Sequence, residues 1–104
     1  MNERVAAMLR LYDAKLSIFP IKEFTDDTQP FTITARLSHI RWMIAQMLNP
    51  TEHHLDEKFR NPVVLNRWMG FVHGVLWNEK IFSITELRAH TRGLYPEAPL
   101  APAK

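Results

Sequence analysis

Hydrophobic positions recur along this chain with helical spacing, in blocks separated by prolines and polar turns. Val5, Met8, Leu9, Tyr12 and Leu16 keep the three-and-four rhythm of one helix face, and Arg10, Asp13 and Ala14 fall largely outside it. This predicts a surface helix over 3–17. It opens at Asn2 or Glu3 and stops ahead of Phe19-Pro20, since a residue before proline is driven out of the helical region. Ile33, Leu37, Ile40, Ile44, Met47 and Leu48 predict a second helix over 33–49, ended by Pro50. Its far side gathers Ala35, Ser38, Trp42 and Ala45, a large aromatic among small residues. A helix with two apolar faces is either sandwiched between neighbours or presents one face to a partner.

The densest block starts at Asn61, a preferred N-cap, followed by Pro62 at the first helical position, where its missing N–H costs nothing. Val64, Leu65, Trp68, Met69, Phe71, Val72, Val75 and Leu76 share one arc of roughly 160° at helical periodicity. An arc that wide predicts a central helix over 62–79. The opposite face carries Val63, Gly70, Gly74 and Trp77. Two interior glycines cost roughly 1 kcal/mol each relative to alanine. The expected compensation is close approach of another backbone, with the second helix crossing there.

The last helix, over 84–92, has the clearest start. Ser83 and Glu86 form a capping box, flanked by Phe82 and Leu87 at the staple positions. Arg88, His90 and Arg92 suit the negative end of the helix dipole, and Gly93 fits the left-handed position beyond it. Residues 18–32 form a long connection that Phe19, Ile21, Phe24 and Phe31 are expected to pin across the helices. Thr51–Arg60 is polar, either a loop or a short helix with Leu55 and Phe59 inward. Pro96, Pro99 and Pro102 predict an extended tail without a packing face. The chain thus reads as all-α: a compact bundle of four to five helices over 1–94 and a flexible, disordered tail over 95–104.

Composition changes this picture little. At 104 residues, 46% hydrophobic and 23% charged, the chain has the make-up of one soluble domain. It contains no cysteine, so disulfides and thiolate metal sites are excluded. Asn66, Arg67, His73 and Asn78 interrupt the longest apolar stretch, which is therefore not a membrane span. The sequence Met-Asn-Glu-Arg-Val lacks the form of a signal peptide, and a cytoplasmic location is expected.

No catalytic set emerges. His53 and His54 are adjacent and point about 100° apart on a helix, whereas helical metal sites use i, i+4 pairs. The histidines are expected to be solvated or capping. Ser83 is engaged in its cap, Asp26-Asp27 reads as a turn, and three glycines make no phosphate loop. The expectation is a non-enzyme with no cofactor and no metal. Arg36, Arg41, Arg60, Arg67, Arg88 and Arg92 are candidate nucleic-acid contacts if the fold assembles them, although a net charge of +2 gives little support. The plainer reading makes them surface arginines with packed stems. Protein binding draws on the surplus apolar surface at Ala35, Ser38, Trp42 and Ala45 and at Val63, Gly70, Gly74 and Trp77. The alternative is that both faces pack within the chain.

Three segments, His39-Ile40-Arg41-Trp42-Met43, Arg67 through Trp77, and Ser83-Ile84-Thr85-Glu86-Leu87-Arg88, together resemble a group of small uncharacterised proteins encoded by phages and prophages. In that group the middle segment often runs Arg-Trp-Leu-Gly-Phe-(Ile/Val)-Gln-Gly and ends Val-Leu-Trp. The resemblance covers about residues 37–92; this chain has His73 where glutamine is common, and an unusual Asn61-Pro62 start. It implies a phage or prophage origin and the bacterial cytoplasm, and no activity. The expected function is a small accessory or regulatory protein that binds a host or phage protein, including inhibition of host machinery or host defence, with a homodimer as a further possibility. A nucleic-acid-binding regulator is the alternative.

Overall fold

The computed structural model describes residues 2–25 and 32–92. These form five helices, α1 (Glu3–Lys15), α2 (Ile33–Leu48), α3 (His53–Phe59), α4 (Pro62–Asn78) and α5 (Ile84–Thr91), with no strand among the described residues. The polar segment before α4 is therefore a short helix, with Leu55 buried and Phe59 partly so. The cap residues explain most of the starts. Asn2 accepts from the Arg4 N–H, Thr32 from Ala35, Asn61 from Val63, and Ser83 and Glu86 satisfy each other's N–H groups. α3 has no side-chain cap.

α4 ends in a Schellman turn. Lys80 N–H donates to Trp77 O at 3.0 Å and Ile81 N–H to Leu76 O at 2.9 Å. The left-handed position this turn requires is filled by Lys80, at φ 62°, in place of the usual glycine.

α2 packs against both α1 and α4, and α4 also meets α3 and α5. The core between them is closed by Leu9, Tyr12, Leu16, Leu37, Ile40, Ile44, Met47, Val72 and Leu76. The α1 stripe predicted from the sequence is buried in full, and the α2 stripe is buried or partly so except for Ile33, which is exposed. α2 is the sandwiched helix. On its far side Ser38 is buried, Ala35, Trp42 and Ala45 are half-buried, and the Trp42 ring tilts over Trp68 at 5.8 Å.

The connection after α1 does lie across a helix, held more by Arg41 than by its own apolar side chains. Arg41 Nη1 donates to Phe19 O at 2.6 Å and Ser17 O at 3.2 Å, and its Nε pairs with Asp13 at 2.9 Å. Phe19 packs on the core and Phe24 is half-buried, but Ile21 is exposed and pins nothing. Phe31, Gly93 and the tail from Tyr95 lie outside the described residues.

Candidate functional site

α4 does not bury its whole apolar arc. Met69, Val72 and Leu76 enter the core and Val64, Leu65, Trp68 and Val75 are half-buried, whereas Phe71 is 54% exposed. Among the described residues no helix crosses over the glycines, contrary to the expectation. A methyl group added at Gly70 or Gly74 would meet nothing within 4 Å. α2 reaches α4 from the other side, through the face opposite the glycines, which corrects the intrachain explanation for the two residues.

Around those glycines lie Val63, 57% exposed, and Trp77, 54% exposed, with Phe71 on one flank. Apart from His73, the single ionisable residue in α4 is the exposed Arg67, on this same side between Val63 and Gly70, so the outward face is a largely apolar strip with one cation in it. Beside it, Gly74, Trp77 and His73 of α4 and Ile84, Leu87 and Arg88 of α5 line a hollow of about 240 Å³. Ile84 is itself 47% exposed. The strip is therefore continuous with a groove towards α5.

Beneath this groove is a cluster that the sequence reading missed. The fully buried Tyr12 places its hydroxyl 3.1 Å from His73 Nε2 and 3.0 Å from His90 Nδ1, with Phe82 packed edge-on against His90. A phenol has one proton, so Tyr12 donates to one imidazole and accepts from the other. Burial, helped by the nearby His90, pushes His73 down to about 4, so the ring is neutral at pH 7. His73 and His90 are thus partly buried hydrogen-bond partners of Tyr12. The available signal was Tyr12 on a buried stripe, because a buried phenol hydroxyl requires a partner. His53 and His54 do lie at the surface, beside Glu57 and Glu52.

The arginines do not form one patch. Arg36 is engaged by Glu79, which it holds below the ordinary carboxylate range, Arg41 by Asp13, and Arg60 by Asp56 one turn away. Arg67, Arg88 and Arg92 are exposed, on α4, on α5 and at its end. Among the described residues no helix is long and apolar enough to cross a membrane. Comparison with known protein families, curated proteins and solved structures returns no match.

Proposed function

We propose that this protein is a small non-enzymatic binding protein of a phage or prophage, which receives a helix of a host or phage protein on the outer face of α4 and thereby occludes or recruits it. The observation that carries this reading is the strip Val63, Phe71 and Trp77 around two glycines, which no other described residue covers. Gly70 and Gly74 let a second helix approach closely, and Trp77 and Val63 flank the seat at either end. Arg67 and Arg88 border it and α4 contributes no acidic side chain, so the complementary helix is apolar on one face and acidic at its margins. The phage origin and bacterial cytoplasm rest on the resemblance of residues 37–92 alone. Inhibition of host machinery or defence belongs to the same expectation.

A photo-reactive side chain at position 77, compared with one at Lys58 on α3, tests this in host lysate. The expected result is a protein adduct from position 77 only, lost when Arg67→Glu and Arg88→Glu are combined. An adduct insensitive to those reversals, or one with a second copy of the chain, overturns the reading. Retention of DNA with a steep salt dependence and no protein adduct would favour the nucleic-acid alternative.

A further inference from the structure

A second hollow, of about 310 Å³, opens where the connection after α1, α2, the start of α3 and α4 meet. Trp42 and Trp68 line it, together with Glu23, His39, Glu52 and His54, over a floor that includes Met43 and Leu55. It shares no residue with the outer strip of α4. Its aromatic wall is built in a chain: His39 stacks on Trp42 at 5.8 Å, Trp42 tilts over Trp68 at 5.8 Å, and Phe59 meets Trp68 edge-on at 4.8 Å. Phe24 N–H donates to His39 Nδ1 at 3.0 Å, which fixes the ring and leaves the proton of the neutral imidazole on Nε2. Burial lowers the pKa of that imidazole, against the opposing pull of Glu23.

The lining therefore contains two indoles, two imidazoles and two carboxylates, of which Glu52 lies 3.2 Å from His54 Nδ1, and no lysine or arginine. Among the described residues no three His, Asp or Glu side chains converge as metal ligands. Negative charge at the rim beside electron-rich ring faces is the chemistry that selects a weakly hydrated cation. We propose that this hollow binds a compact organic cation, an alkylated ammonium or a guanidinium, held by the indoles of Trp42 and Trp68 and the carboxylates of Glu23 and Glu52. The cation is presented either by a free small molecule or by a basic side chain of another protein.

The test follows the three indole N–H signals by NMR during titration of the full chain with choline, with its uncharged isostere 3,3-dimethylbutanol, and with acetyl-arginine methylamide. Trp77 lies outside the hollow and serves as the internal reference. Choline or the arginine derivative should shift Trp42 and Trp68 while leaving Trp77 in place, and the neutral isostere should bind about tenfold more weakly than choline. A response to choline points to a free ligand; a response to the arginine derivative alone points to a protein side chain. Glu23→Gln combined with Glu52→Gln, both at exposed positions, should weaken binding about tenfold without changing the melting temperature. Equal affinity for choline and its isostere, insensitivity to the double substitution, a shift confined to Trp77, or no shift with either cation overturns the proposal.

Discussion

α2 and α4 are helices of 16 and 17 residues with apolar side chains over most of their circumference, yet they meet different fates. α2 has α1 on one side and α4 on the other, so both of its faces are covered. α4 packs against α2, α3 and α5 and bonds to α1 through His73, yet Met69, Val72 and Leu76 are the side chains these neighbours bury, while Val63, Phe71 and Trp77 stay more than half exposed. Burial is thus decided by where neighbours are, and an apolar residue on a helix does not itself recruit one. The glycines mark the difference: among the described residues nothing lies within 4 Å of a methyl group placed at either.

The largest effect expected from this contrast comes from truncating each helix once. Ile44→Ala in the middle of α2 should cost about 2–5 kcal/mol, against less than about 1 kcal/mol for Trp77→Ala, measured by urea unfolding. Equal losses would mean that the outer face of α4 is packed after all.

The histidine beneath that face gives the next effect. His73 has a folded pKa below its unfolded value, so its contribution to stability is complete above about pH 6.5 and is lost as pH falls towards 4. A shift of this size corresponds to about 3 kcal/mol, and solvent screening on the open side of the ring reduces it to about 2 kcal/mol. His73→Gln, which cannot titrate, should flatten the stability profile in that window. A profile as steep as that of the parent protein would place the acid sensitivity elsewhere.

Gly70→Ala and Gly74→Ala should each raise stability by about 1 kcal/mol in thermal melts, because helix propensity improves and no atom is displaced. The same variants should weaken capture through position 77 if a helix docks there. Stabilisation with undiminished capture would separate the glycines from the binding face. The smallest gain is expected from Lys80→Gly, which relieves the left-handed residue of the Schellman turn and should add up to about 1 kcal/mol.

What was legible in the sequence was local. Asn61-Pro62, the Ser83–Glu86 box and the α1 stripe act within a few residues of themselves, and the helices they predict are present to within one or two positions. The contacts that build sites are not local. Tyr12 meets His73 and His90 across 61 and 78 positions, and Arg36 meets Glu79 across 43. Trp42 stood out on its helix, but its partner Trp68 read only as one more residue of the α4 arc, because nothing in either segment states how α2 and α4 cross. The same gap explains the glycines. Their spacing marks a place suited to close packing, and whether the partner is in this chain depends on the arrangement of every other helix.

The Tyr12 cluster has a consequence for the chain as a whole. Arg4 also reaches Arg92 O at 3.3 Å, 88 positions away, so the two ends of the described chain lie side by side. Closing so long a loop is entropically undemanding, since each doubling of length adds only about 0.6 kcal/mol. The Tyr12–His90 bond and the Arg4–Arg92 contact thus fasten the first described helix to the last. A chain opened at the turn between α2 and α3, with Arg92 joined to Asn2 by a linker, should therefore keep its helical circular dichroism signal.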